Sequence, residues 1–395
     1  MSHGKGARVL VVGASAAGFS AAAALRRRGH HGPITLLGAE RHPPYDRPPL
    51  SKQYQTHGWD AERLGLATRE RLAGLDLELR LGVRAAALDL SERVVEDDDG
   101  GRHRYDQLVI ATGLVPRRLA ALAGVPTLEL RTLEDADRLK AALRPGSRLA
   151  VVGAGFVGLE GAATARRLGA DVTVVEPVAH PLADRIGSRA ATRLCRLHEA
   201  NGVDLRCGSS VAGGRVDGDG TVLELSDGTE LLADAVLVAV GASPSTGWLR
   251  DSGLDIIDGV RCDEYSRVAE SVWAAGDVAR WRHIGYGEWL RVEHRTNATE
   301  QGQQVAAGIH GELTPYVPVP FFWTDHYDVR VQLAGRYRDG LTETDVELPD
   351  RPGASVTLFH AGDELRAALA WNAPKELHRY RRELLARFAM ERSVA

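Results

Sequence analysis

Val9-Leu10-Val11-Val12-Gly13-Ala14-Ser15-Ala16-Ala17-Gly18 is the stretch whose reading decides the fold. Four apolar residues read as a buried strand, and the glycines that follow read as a tight turn. A helix-forming run from Phe19 to Arg28 comes next, then a second strand, Ile34-Thr35-Leu36-Leu37, ending near Glu40. This is the grammar of a βαβ unit that lays a pyrophosphate on a helix N-terminus and a ribose on the terminal acid. Ser15 stands where the second glycine would let the backbone approach the pyrophosphate. It adds a Cβ there and also offers a hydroxyl donor. The grammar recurs at Leu149-Ala150-Val151-Val152 and Gly153-Ala154-Gly155-Phe156-Val157-Gly158, with a helix to about Leu168, a strand from Asp171 to Val175, and then Glu176. One such loop is weak evidence, but two in full context point to an α/β chain with two Rossmann-like dinucleotide-binding domains. A carboxylate at Glu176 accepts hydrogen bonds from a ribose and repels a 2′-phosphate, and no arginine follows in Pro177-Val178-Ala179-His180, so NADH is expected over NADPH.

Composition narrows the class. A chain of 395 residues holds two or three domains, and 44% hydrophobic residues suffice for separate cores. The net charge of −4 and the absence of a long basic tract or lipidation signal exclude general nucleic-acid or membrane affinity. Val9 to Leu25 imitates a signal peptide, but it is rich in Ala and Gly, shorter than the ~20 residues of a span, and lacks a polar cleavage region before Arg26-Arg27-Arg28. Those arginines complement a helix C-terminus. Cys195, Cys207 and Cys262 form neither a CxxC pair nor a zinc pattern, so no metal is expected and the cytoplasm is the expected compartment. Lysine is rare beside arginine, which makes Lys52 conspicuous.

Lys52 belongs to the segment Pro44-Tyr45-Asp46-Arg47-Pro48-Pro49-Leu50-Ser51-Lys52-Gln53. Its prolines stiffen the chain and forbid helix through Pro49, so Arg47 and Lys52 are expected on a rigid extended support. Further along stand Gln107-Leu108-Val109-Ile110-Ala111-Thr112-Gly113, then Val272-Trp273-Ala274-Ala275-Gly276-Asp277-Val278 and Arg291-Val292-Glu293-His294-Arg295-Thr296-Asn297-Ala298. Pro320-Phe321-Phe322-Trp323-Thr324-Asp325-His326-Tyr327-Asp328 precedes an alternating strand, Val331 to Gly335. Two later strands, Ser355 to Phe359 and Leu365 to Trp371, and a helix from Lys375 to Met390 follow.

Taken together these segments resemble the FAD-dependent, NADH-utilising ferredoxin reductases of the putidaredoxin reductase and dioxygenase ferredoxin reductase type, over essentially the whole chain. The resemblance implies a discontinuous FAD-binding domain (1–117 and 245–318), an NAD-binding domain (118–244) and a C-terminal α+β domain (319–395). It assigns FAD to Gly13, Ser15, Ala16, Ala17, Gly18, Glu40, Arg47, Lys52, Val83, Ala111, Thr112, Gly113, Arg131, Gly276, Asp277, Val278, Arg295, Asn297 and Trp323. NADH falls to Gly153, Gly155, Phe156, Val157, Gly158, Glu160, Glu176 and Gly241. The implied reaction passes a hydride from NADH to FAD. Single electrons then go to a ferredoxin-type iron–sulfur protein that serves a P450 or ring-hydroxylating oxygenase. Lys52, Glu160 and Glu293 are its implied catalytic residues, with Glu293 paired to Lys52.

Each assignment has a plainer counterpart. Asp277 also suits a turn or helix cap, and Glu160 a first-turn acid facing the helix dipole. Trp323 also suits a core anchor, and a Glu293–Lys52 contact an ordinary surface pair. Arg330, Arg336, Arg338, Arg379 and Arg382 would steer an acidic ferredoxin, or are scattered solvated charge. His294 and Arg295 depart from the usual pattern. The stretch from Glu40 to Gly82 has no cysteine, which argues against a disulfide reductase. An NADH-dependent flavin reductase or oxidase acting on a small molecule, a quinone or oxygen keeps every motif. So does an NADH-binding redox sensor, though slow to turn over.

Overall fold

The computed structural model describes residues 5–218 and 220–392. The ends of the first and last expected domains, 1–4 and 393–395, lie outside the described residues. A six-stranded sheet runs in the order Arg267–Ala269, Val272–Ala274, Gln107–Ile110, Val9–Val12, Ile34–Gly38 and Glu78–Leu81. All its pairings are parallel except the outermost, Arg267–Ala269 against Val272–Ala274. Val9–Val12 reads as an unbroken apolar run because both faces of this sheet are covered. Leu10 and Val12 enter one core with Trp281 and Ile110, while Val9 and Val11 enter another with Ala21, Leu25 and Val305. The chain leaves the sheet after Ile110 and returns to it at Arg267.

Between those points stands a second parallel sheet, ordered Val203–Cys207, Asp171–Glu176, Arg148–Val152 and Ala235–Val238. A three-stranded antiparallel sheet, Val211–Asp217, Gly220–Leu225 and Glu230–Ala233, packs on it through Leu223 and Leu225. The last unit is a five-stranded antiparallel sheet with the helix Pro374–Arg392 on one face, anchored by Leu377, Leu384 and Phe388. The opposite face sends Val331, Leu333, Phe359, Leu369 and Trp371 into the same core as Ile186, Ala191 and Leu194 of the second unit.

Both glycine turns obey one packing rule. Gly13 and Gly153 sit at φ +116° and +107°, and a Cβ on either would meet a carbonyl oxygen of the neighbouring strand end, Ala111 or Ala239. A Cβ on Gly18 or Gly158 would overlap the carbonyl oxygen of Gly13 or Gly153. Gly155 is different: its φ is −71° and the nearest protein atom to an added Cβ is 4.0 Å away. Ser15, its counterpart, has φ −107° and ψ −156°, an extended conformation that any residue adopts, so the fold accepts serine there.

The proline-rich segment corrects an expectation. It is not extended throughout: Pro48–Ser51 forms a 3₁₀ turn with proline in its first turn, and Gln53–Thr56 follows as a helical turn. Proline is tolerated there because the first N–H groups of a helical turn have no internal acceptor. The helix expected after the first glycine turn spans Ala16–Arg27, the one after the second spans Phe156–Arg167, and the expected terminal helix spans Pro374–Arg392.

Gly18→Ala should destabilise the protein by about 3 kcal/mol through overpacking. Gly155→Ala should cost less than about 1 kcal/mol, a helix-cap effect. Chemical unfolding of the two variants beside the parent tests this, and equal losses would contradict the packing distinction.

Candidate functional site

At the first glycine turn, the helix Ala16–Arg27 packs against Gly276, where a Cβ would lie 2.8 Å from that of Ala17. Gly276 N–H is held by Gln301 Oε1 at 2.9 Å, which fixes the neighbouring Asp277. Arg131 Nη2 reaches to 3.7 Å from Asp277 Oδ2 and also borders Gly113. Arg47 donates from Nη1 to the Arg131 carbonyl and from Nη2 to Glu40 Oε1 at 2.5 Å, and the Tyr45 hydroxyl donates to the other Glu40 oxygen. Burial pushes the Arg131 pKa down and the nearby Arg47 charge adds to that, with Asp277 and Glu40 opposing. Burial likewise raises Asp277, against the pull of Arg131.

Two guanidinium groups therefore lie side by side, and Nε of each is buried without a hydrogen-bond partner. Unsatisfied buried donors carry a penalty of ~1–3 kcal/mol each, which an anion at the helix N-terminus would remove. The diphosphate of FAD fits this cradle by charge and by donors, and Glu40, the acid expected at its ribose, lies just past the strand Ile34–Gly38. Thr112 Oγ1 donates to the Ser245 carbonyl at 2.8 Å, tying Ala111-Thr112-Gly113 to the chain's return crossing. Val83 is pinned by its N–H to Gly38 O at 2.9 Å, and Val278 is fully buried in the core behind the sheet.

The second cradle repeats the arrangement. Glu176 accepts from Ala154 N–H at 2.7 Å and from Val178 N–H at 3.0 Å, so one carboxylate holds both the glycine turn and the chain beyond the strand. The open space beside Gly155, an exposed Val157, a half-buried Phe156 and Gly241 at φ +91° border it. These residues fit a second dinucleotide.

Between the cradles lies a buried ion pair. Lys52 Nζ stands 2.8 Å from Glu160 Oε1 and 3.4 Å from Asp325 Oδ2, with Lys52 and Glu160 only 9% and 7% exposed. Glu160 also accepts from Ser51 Oγ (2.6 Å), Thr324 Oγ1 (2.6 Å) and Asp325 N–H (3.3 Å). Ser51 O in turn accepts from Thr164 Oγ1 at 2.7 Å on the same helix as Glu160. Asp325 is pushed up by burial, but its bonds to Arg330 and Lys52 outweigh that and leave its pKa lowered.

The expected Glu293–Lys52 pair does not form. Glu293 pairs with Arg291, two residues before it on extended chain, at 2.5 Å, and the place at Lys52 is taken by Glu160 and Asp325. Glu160 is no simple dipole acid either, since its carboxylate is enclosed by four donors. Of the edge arginines, Arg330 is held by Asp325, and Arg336 and Arg338 share Glu288; Arg379 and Arg382 are exposed. Arg295 reaches Asp46 and Thr299, linking the proline-rich segment to the helix Arg295–Ile309. The Asn297 side chain is engaged by Val292 O and the Tyr316 hydroxyl, so only its main chain, in the first helical turn, is available to a ligand. His294 is packed on Phe322 at 5.1 Å with Nδ1 buried and unpartnered, and Trp323 is half-buried, 6.4 Å from Phe321. Sequence reasoning missed Ser51 and Asp325 as partners of this pair. Adjacency to Lys52 was the available signal for the first, and nothing marked the second.

Among the described residues, no group of His, Cys, Asp and Glu is arranged to hold a metal, and no helix is long and apolar enough to cross a membrane.

Known proteins supply a third line of comparison. The model of the pyridine nucleotide-disulphide oxidoreductase family matches residues 7–302, and that of the reductase C-terminal family matches 321–394. The ferredoxin–NAD(+) reductase component of the p-cumate 2,3-dioxygenase system of Pseudomonas putida is 36% identical over 391 residues, covering 97% of this chain and 94% of that protein. Putidaredoxin reductase, also of Pseudomonas putida, is 32% identical over 97% of this chain and 93% of its own. The solved covalent putidaredoxin reductase–putidaredoxin complex matches with a TM-score of 0.91 at 31% identity, over 96% of this chain and 93% of that one.

Breaking the buried pair from either side should cost about 3 kcal/mol, because the remaining charge is left in a low-dielectric site. Lys52→Met combined with Glu160→Gln should be no less stable than the weaker single variant. Urea unfolding of the three proteins measures this, and additive losses would show that the two charges are independent.

Proposed function

The chain belongs to the pyridine nucleotide-disulphide oxidoreductase family, and on that premise we propose that it is an FAD-dependent NADH:ferredoxin reductase. It passes a hydride from NADH to FAD and then single electrons to a ferredoxin-type iron–sulfur protein that serves a P450 or ring-hydroxylating oxygenase. One observation carries the reading. Glu160, on the helix of the second glycine turn, is ion-paired at 2.8 Å with Lys52 of the proline-rich segment beside the first. The two nucleotide cradles therefore meet at one enclosed carboxylate–ammonium contact.

When bound, FAD supplies the acceptance of a hydride and the release of electrons one at a time. The chain's own residues bind and orient. Arg47, Arg131 and the helix turn from Ser15 to Gly18 hold the FAD phosphates, Glu40 its ribose, and Asp277 its ribityl chain. Gly153, Gly155, Gly158, Gly241 and Glu176 hold NADH, with Phe156 and Val157 at the mouth of its cradle. Glu160 and Lys52 orient the reacting groups and hold a proton between them, and Trp323 shields the site from water. The first turn of the helix Arg295–Ile309, with Arg295 and Asn297 in it, directs its N–H groups at developing negative charge. Glu293, held by Arg291, does not pair with Lys52. The reading divides the chain into 1–117 with 245–318 for FAD, 118–244 for NADH, and 319–395 for the C-terminal unit, and the second parallel sheet standing between Ile110 and Arg267 supports that division. The unpaired thiols Cys195, Cys207 and Cys262 suit a reducing cytoplasm. None of them stands within the segment from Glu40 to Gly82 that carries Lys52.

Under anaerobic stopped flow, NADH should bleach the flavin rapidly and NADPH much more slowly. An iron–sulfur ferredoxin should then restore the colour. Reoxidation by oxygen or a small molecule alone, with several ferredoxins tried, would transfer the assignment to a flavin reductase or oxidase. Absence of bleaching would remove hydride transfer altogether. Glu176→Gln should narrow the NADH over NADPH preference about tenfold by lifting charge repulsion of the 2′-phosphate.

A further inference from the structure

Behind Glu160 runs an unbroken line of hydrogen-bonding groups that the reaction as described does not use. Thr324 Oγ1 lies 2.6 Å from Glu160 Oε1 and 2.8 Å from His326 Nε2. His326 Nδ1 lies 3.2 Å from His198 Nε2, and His198 Nδ1 lies 3.4 Å from the Tyr327 hydroxyl. His198 belongs to the helix Ser188–Ala200 of the second unit, and the other three to the edge strand of the C-terminal sheet and its turn. Both imidazoles are fully buried and Thr324 is 1% exposed. Tyr327 is half-buried and lines a cleft of about 300 Å³, shared with Lys52, His57, Arg167, Asp325 and Arg330.

We propose that Thr324, His326, His198 and Tyr327 form a proton relay between the Glu160–Lys52 pair and the cleft. The inference rests on the function proposed above, because oxidation of NADH by one-electron acceptors (NADH + 2 A(ox) → NAD⁺ + 2 A(red) + H⁺) leaves one proton to be exported per NADH.

The line has the right chemistry at every link. A hydroxyl both donates and accepts, and a neutral imidazole accepts on one nitrogen while donating from the other. Burial and then the neighbouring His326 push His198 down to about 3, and burial and then Lys52 push His326 down to about 3, so both rings are neutral at pH 7. The groups facing the line are few. Lys52, Asp325 and the Leu159 carbonyl face His326, and Arg166 and Arg167 face Tyr327. In the outward transfer, the Glu160 carboxylate takes up the proton left by the oxidation of NADH and gives it to Thr324, and Thr324 gives its own to His326 Nε2. His326 Nδ1–H passes to His198 Nε2, His198 Nδ1–H to the Tyr327 oxygen, and the Tyr327 proton to water. Four groups each gain and lose one proton, no electron moves, and both rings end in the opposite tautomer, which must reset before the next export.

The test combines kinetics with a readout independent of turnover. In the FAD-loaded protein mixed with NADH and an iron–sulfur acceptor, proton release to a pH indicator should keep pace with acceptor reduction. Tyr327→Phe, and His326→Gln where it folds, should slow release about tenfold while bleaching by NADH is unchanged. Undiminished release in Tyr327→Phe would mean that the proton leaves Lys52 directly into the cleft, and would overturn the relay. Long-range ¹H–¹⁵N spectra at pH 7 should show both rings neutral, and Tyr327→Phe should shift the His198 nitrogens and, through them, those of His326. An imidazolium at either position, or a change that stops at His198, would also overturn it. A parent protein that NADH does not bleach would instead refute the proposed function, with the spectra still reporting on the line itself.

Discussion

A lysine ammonium buried against a glutamate can exist only where both charges are enclosed by partners, since either one left unpaired costs several kcal/mol. Lys52 and Glu160 meet that condition by drawing on three distant parts of the chain. Ser51 comes from the proline-rich segment, Glu160 and Thr164 from the second glycine helix, and Thr324 and Asp325 from the C-terminal edge strand. Satisfying one ion pair thus sets the positions of the two nucleotide cradles and the last sheet relative to each other.

The fold was largely legible in the sequence because its decisive constraints are local. Gly13, Gly18, Gly153 and Gly158 are demanded by backbone atoms a few residues away or on the adjoining strand, and such demands leave a pattern at fixed spacing. The middle position is demanded by the ligand instead. That is why Ser15 could not be weighed from the pattern, and why the structure accommodates it without distortion. Four-residue apolar strands covered on both faces are similarly self-declaring.

Side-chain pairings at the candidate site were not legible in the sequence. Lys52 was singled out, yet its expected partner Glu293 is held by Arg291, and its actual partners lie 108 and 273 positions away. Nothing local announces such contacts, because a carboxylate two residues from an arginine and one across a domain boundary look alike in a sequence. The 3₁₀ turn at Pro48–Ser51 was missed for a related reason. Proline forbids the interior of a helix and permits its first turn, so the same residues support either reading until the chain beyond them is placed.

The shared core beneath the site has a mechanical meaning. Phe359, Leu369 and Trp371 of the C-terminal sheet pack in one cluster with Ile186, Ala191 and Leu194 of the second nucleotide unit, and both surfaces are sealed from water. Separating them would expose apolar area that neither can cover by itself, so the two segments should melt as a single cooperative block and not hinge apart. Coenzyme must then enter and leave through side-chain and loop adjustments against a stiff wall, and a truncation before Phe321 would strip the second unit of part of its own interior.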